Sequence, residues 1–130
     1  MISIERQLSV VLDNRPGTLA RICQAIAKQN INIRALSIAE TVDQAVVRMV
    51  VSDVKKVTEI LAALHVTAQE REVIFMEVSN LPGILAHIAE KLTAAGINIE
   101  YAYCTGAKAQ ETGAMVLRTS DIEATVNVLA

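Results

Sequence analysis

A chain of 130 residues lies within the ~100–200 residues of an ordinary domain, so it is one domain or two small ones sharing a core, and a large multidomain enzyme is excluded. About half of it is apolar (52%), a fifth is charged (20%), and Phe75, Tyr101 and Tyr103 are its whole aromatic set, a globular, aliphatic composition rather than a disordered one. Twelve Lys and Arg against fourteen Asp and Glu give net charge −2 with both signs interspersed, which offers no basic face to a nucleic-acid backbone.

No apolar run reaches the ~20 residues that cross a bilayer, and Arg6 interrupts any signal-like start, so the expectation is a soluble cytoplasmic protein without membrane contact. In chain order, Leu8, Val10 and Leu12 alternate as a strand. Pro16 follows at or near a first helical turn, where its missing N–H is no loss, and Leu19, Ile22, Cys23 and Ile26 form the apolar stripe of that helix. Ile31 to Ile38 and Ala45 to Val51 are β-branched runs separated by polar residues, which predicts a hairpin. Asp53 is the expected cap of a second helix from Val54, with Val54, Val57, Ile60, Leu61 and Leu64 on its buried face. A further strand is expected near Val66 to Gln69.

The chain then repeats itself. An offset of 66 residues lays Asn14-Arg15-Pro16-Gly17-Thr18-Leu19 on Asn80-Leu81-Pro82-Gly83-Ile84-Leu85 and Ile31-Asn32-Ile33 on Ile97-Asn98-Ile99, and Ile22, Ile26, Met49 and Val50 fall on Ile88, Leu92, Met115 and Val116. One duplicated unit explains this. Ser120 and Glu123 have capping-box spacing before Ile122. Strand, helix, strand, strand, helix, strand is the ferredoxin-like order, so the fold class is α+β: two βαββαβ units, residues 1–70 and 71–130, with antiparallel sheets and helices on one face. The second unit lacks its C-terminal strand, because its second helix runs into Ala130. The segment before Leu8, Ile2 to Glu5, is expected to pair with the edge of the second sheet, in the same chain or a dimer partner; the alternative is a natural chain that continues past Ala130. From Val66 to Ser79 no Gly, Pro or Asn permits a tight turn, so one strand should run on from the first unit into the second.

Nothing in the sequence points to catalysis, and the chain is read as a non-enzyme without cofactor. His65, near a helix end, and His87, on the polar side of its stripe, are joined by no Ser-His-Asp spacing, phosphate loop or carboxylate cluster. Cys23 and Cys104 form no C-x-x-C and have no neighbouring His, so packed thiols are expected, with a disulfide or a reactive cysteine as the alternative, and no metal site is expected. Met49 and Met115 belong in the core. Tyr101 and Tyr103 share strand parity with Ile97 and Ile99, which predicts packing in the core or an interface, with pocket lining as the alternative.

The feature with chemistry is the twice-written Asn-x-Pro-Gly-x-Leu turn between a strand and a helix. Backbone N–H groups of a first helical turn, together with the positive end of the helix dipole, can hold a carboxylate. Gly17 and Gly83 permit close backbone approach, and the carboxamides of Asn14 and Asn80 both donate and accept. Each loop is followed eighteen residues on by a second Asn, Asn32 or Asn98.

This turn, the aliphatic helix and the Asn-Ile at the next strand resemble the ACT domain, the amino-acid-sensing module of metabolic regulation, over nearly the whole chain. The run Ile31-Asn32-Ile33-Arg34-Ala35-Leu36-Ser37-Ile38 resembles stand-alone tandem ACT proteins. The resemblance implies a regulatory module with effectors between paired ACT units, held by Asn14, Pro16, Gly17, Thr18, Leu19 and Asn32, and by Asn80, Pro82, Gly83, Ile84, Leu85 and Asn98. In the serine-sensing dehydrogenase version the loop Asn and strand Asn bind the effector; that version has a His two residues before the loop Asn, where this chain has Leu12 and Val78. The expected partners are a free amino acid, a second copy in a homodimer, and an enzyme acted on in trans. The rival reading is a small regulatory subunit that docks an amino-acid biosynthetic enzyme such as acetohydroxyacid synthase.

Overall fold

Two segments of a dozen residues each form long strands. In a computed structural model, which describes residues 1–130, these are β1 (Ile2–Asp13) and β4 (Ala68–Ser79). Between them lie α1 (Thr18–Lys28), β2 (Ile33–Glu40), β3 (Gln44–Val51) and α2 (Val54–Ala63). After them come α3 (Ile84–Ala94), β5 (Ile99–Cys104), β6 (Thr112–Thr119) and α4 (Ile122–Leu129). By compactness the chain divides into a unit of Arg6–Arg71 and a unit made of Met1–Glu5 with Glu72–Ala130.

In the unit Arg6–Arg71 the strand order is β2-β3-β1-β4. Leu8 faces Met49 and Val10 faces Val47 across the antiparallel β1–β3 ladder. Strand alternation turns Leu8, Val10, Leu12, Val47 and Met49 toward the helices, where Ile22 and Ile26 of α1 and Val57 and Leu61 of α2 complete one core. Leu8, Ile26, Met49 and Leu61 are fully buried, and each contributes ~1.5–3 kcal/mol by leaving water.

The other unit has the order β5-β6-β4-β1 and a core of Ile74, Val78, Ile88, Leu92, Ile97, Met115 and Leu117. Its last element is α4, and the fourth strand is indeed the start of the chain. Met1 O accepts from Glu77 N at 3.1 Å, Ser3 Oγ donates to Phe75 O at 3.5 Å, and Ile2 packs on the core. The two contacts run in opposite senses along the strands, so this pair is antiparallel.

Two local expectations are corrected. Ser120 does not cap α4: Asp121 does, accepting from Ala124 N at 3.0 Å, as Asp53 accepts from Lys56 N at 3.1 Å in α2. The Ser120 hydroxyl is taken elsewhere, accepting from Asn98 N at 3.0 Å, just as Ser52 Oγ accepts from Asn32 N at 3.0 Å. Tyr101 and Tyr103 do not follow Ile99 into the core. A register shift between Ile99 and Tyr101 reverses the parity, as bulges do, so the tyrosines sit opposite Arg118 and Val116 on the face turned from Met115 and Leu117. They are half-buried there. The first unit carries the same shift between Ile33 and Ala35.

Deleting residues 1–5 removes a strand and Ile2 from a formed core. The expected loss of stability is larger than the ~0.5 kcal/mol of an ordinary surface change, read as a lower urea midpoint; an unchanged midpoint would contradict this role of the N-terminal segment.

Candidate functional site

The four helices start in two different ways. α2 and α4 begin with an aspartate whose carboxylate takes up a first-turn N–H. α1 and α3, which follow the repeated motif, begin at Gly17 (φ 88) and Gly83 (φ 87) in the left-handed conformation, with no side-chain cap. Glycine is required here by the backbone angle, which residues with a Cβ adopt only at a cost of about 1–2 kcal/mol. Crowding is not the reason, since a Cβ built on either glycine meets nothing within 4 Å. The first-turn amides of α1 and α3 are thus left without side-chain partners, and the space beside each glycine is open.

In the unit Arg6–Arg71 that space is a cavity of about 310 Å³, lined by Leu12, Arg15, Pro16, Gly17, Thr18, Arg21, Ile22, Leu64 and Val66. Its apolar wall comes from the end of β1, from α1 and from the segment after α2. Pro16, Gly17 and Thr18 line it, as the motif leads one to expect; Asn14, Leu19 and Asn32 do not. Leu19 packs on the core. Asn32 is exposed at the entry of β2, its backbone joined to Ser52 through Asn32 N to Ser52 Oγ and Ser52 N to Asn32 O at 2.9 Å. Six lining residues, Leu12, Arg15, Arg21, Ile22, Leu64 and Val66, are not among the expected site residues. Arg21 lies four residues beyond Gly17 and so on the same helical face, a signal present in the sequence; Leu64 and Val66 come from far along the chain and carried none.

At the second loop the same offset replaces Arg15, Thr18 and Arg21 by Leu81, Ile84 and His87. Ile84 packs on its core, Pro82, Gly83 and His87 are exposed, and Leu81 and Leu85 are exposed at 66% and 45%. Asn98 is exposed and its backbone is joined to Ser120 as Asn32 is to Ser52. No group of three or more His, Cys, Asp or Glu could hold a metal ion, and no helix is long and apolar enough to cross a membrane.

Residues 2–130 match the family model of an ACT domain pair. The crystal structure of protein BT0572 from Bacteroides thetaiotaomicron is similar over 98% of this chain and 88% of that one, with a TM-score of 0.90 and 34% identity. The ligand-free regulatory subunit of aspartate kinase from Thermus thermophilus shares the fold over 98% of this chain and 93% of that one, with a TM-score of 0.69 and 15% identity. The corresponding subunit from Thermus flavus does so over 98% and 94%, at 0.66 and 17%. No protein of curated function matches the chain in sequence.

The motif asparagines are engaged within the protein. Asn14 Nδ2 donates to Thr41 O at 2.8 Å, which ties the loop to the β2–β3 hairpin. Asn80 Nδ2 donates to Ala107 O at 2.7 Å and Gln110 O at 2.9 Å, which ties the second loop to the β5–β6 hairpin. Asn80 thus has both Nδ2 hydrogens engaged and keeps only Oδ1, whereas Asn14 keeps Oδ1 and its second Nδ2 hydrogen. Removing the double clamp with Asn80→Ala should cost about 1–3 kcal/mol and the single one with Asn14→Ala about half of that, measured as urea midpoints; equal losses would show that the second bond of Asn80 adds nothing.

Proposed function

The chain belongs to the ACT domain family as an ACT domain pair, and from that premise we propose that it is a non-enzymatic regulatory module, which binds a free amino acid at its strand-helix loops and responds by changing its assembly or its contacts with a partner. The observation that carries this reading is the uncapped start of α1 at Gly17, opening on a cavity whose size is at the lower end of the range for small-molecule sites. Amides left without side-chain partners and a positive helix end favour a carboxylate. Pro16, Gly17 and Thr18 frame the turn, while Leu12, Ile22, Leu64 and Val66 take the carbon chain. At the second loop the equivalent frame is Pro82, Gly83 and Ile84. Asn14 and Asn80 can contribute their Oδ1 atoms, and Asn32 and Asn98 are free to reach a ligand from the strand that follows.

The response is expected to run through association. β2 pairs only with β3, so its other edge presents open backbone groups, and Leu36 and Ile38 on that strand are exposed at 36% and 45%. Such an edge invites pairing with another chain, and a homodimer is the simplest closed arrangement. The same edge supports the second reading, in which the module docks an amino-acid biosynthetic enzyme; the Thermus proteins of the same fold are regulatory subunits of aspartate kinase by name.

A thermal-shift panel of the twenty amino acids tests ligand binding directly. A ligand at ~100 times its dissociation constant stabilises by ~2.7 kcal/mol, and Gly17→Val should abolish that shift while the unliganded protein still melts cooperatively. A panel with no shift contradicts the reading. Sedimentation velocity should give a dimer at micromolar concentration that Ile38→Lys dissociates; a monomer for the parent chain contradicts self-association.

A further inference from the structure

Resting on the reading of the Gly17 loop as a ligand site, the geometry points to a ligand bearing two anionic groups, a small dicarboxylate, held at the first loop and not at the second. Two arginines, Arg15 and Arg21, both exposed, are among the residues that line the cavity, and no acidic residue is. A neutral zwitterion does not complement that lining: its carboxylate meets the first-turn amides, but its ammonium then lies among like charges with no acceptor of opposite sign on the wall. A second acid group removes the imbalance.

Neither arginine is committed to a strong partner inside the protein. Arg21 makes no ion pair or side-chain hydrogen bond. Arg15 approaches Asp13 at 3.7 Å, with both side chains about 70% exposed (73% and 69%), and an exposed pair of that kind contributes little. Guanidinium groups bind carboxylates through paired N–H donors, so one acid on the amide end and one on the arginines divides the site by chemistry. The volume of about 310 Å³ and the wall of Leu12, Ile22, Leu64 and Val66 suit a short carbon chain between them.

The duplication supplies an internal comparison. At the second loop the turn is the same, with Gly83 at φ 87 and no side-chain cap, but Leu81, Ile84 and His87 stand where the first loop has Arg15, Thr18 and Arg21. What the turn needs is retained in both copies, whereas the paired cations are present in one. The charge of the first loop is therefore not a requirement of the fold.

Isothermal titration of the full chain with L-aspartate, L-glutamate, L-asparagine, L-glutamine, succinate and glutarate tests this. The expected result is one site per chain, with an acid bound at least about tenfold tighter than its amide. Arg21→Gln, or the double variant with Arg15→Gln, should remove the preference while leaving the melting temperature of the unliganded protein in place. Equal binding of acid and amide, an unchanged preference in the double variant, or two equivalent sites per chain overturns the inference and leaves the amino-acid reading standing. Tight binding of succinate or glutarate without aspartate or glutamate supports the dicarboxylate and overturns the amino-acid reading. Absence of binding for all six overturns the inference, and the twenty-member panel then decides the amino-acid reading separately.

Discussion

The architecture depends on a strand that one unit takes from the other end of the chain. Four strands make each unit, and in the unit that closes the sequence one of them is Met1–Glu5. Its amide partner at Glu77 and the contact of Ile2 with the core mean that this core is finished only when residues far apart in sequence have met. A unit of ~65 residues is marginal as an independent core, and a break in chain continuity raises the entropy of forming it. Residues 6–13 of β1 and 68–71 of β4 belong to one unit, and residues 2–5 and 72–79 to the other.

Duplication has preserved the parts that hold the backbone. Both copies place a left-handed glycine before the first helix, an asparagine donating to the following hairpin, a serine joined to the residue that enters the next strand, and an aspartate capping the second helix. Both also carry the register shift at the same position. These residues are engaged with backbone groups that would otherwise lack partners, so a change at any of them is felt throughout the turn. Positions whose side chains lie at the mouth of the loop are under no such constraint. That is where Arg15, Thr18 and Arg21 differ from Leu81, Ile84 and His87.

The contrast between helix starts connects this framework to function. A carboxylate cap occupies the first-turn amides of α2 and α4 and fixes where those helices begin. α1 and α3 begin instead through a backbone conformation available to glycine, which sets the helix direction with no side chain on those amides and only a long backbone contact at the first of them, Thr18 N to Arg15 O and Ile84 N to Leu81 O, each 3.4 Å. The difference stabilises α2 and α4 by about 1 kcal/mol each and leaves α1 and α3 with polar groups that an external anion can satisfy.

Periodicity, caps and self-similarity determine much of this protein from sequence alone. The alternation of Leu8, Val10 and Leu12, the stripes of the helices, Asp53 as a cap, and the ACT-type order of elements are local patterns, and local patterns are what a sequence displays. The run-on strand over Ala68–Ser79 matches the expectation drawn from the lack of Gly, Pro and Asn there. Other features belong to tertiary structure. The faces of Tyr101 and Tyr103 depend on a register shift set by pairing with β6, which no run of residues in β5 announces. The choice of Asp121 over Ser120 as cap follows from Asn98 claiming the serine hydroxyl. The cavity at Gly17 is closed by Leu64 and Val66, brought there by the packing of α2. The lining of the opening at Gly17 is therefore part local, with Arg15 and Arg21 supplied by the repeated turn and α1, and part tertiary, with Leu64 and Val66 reaching it only in the folded chain.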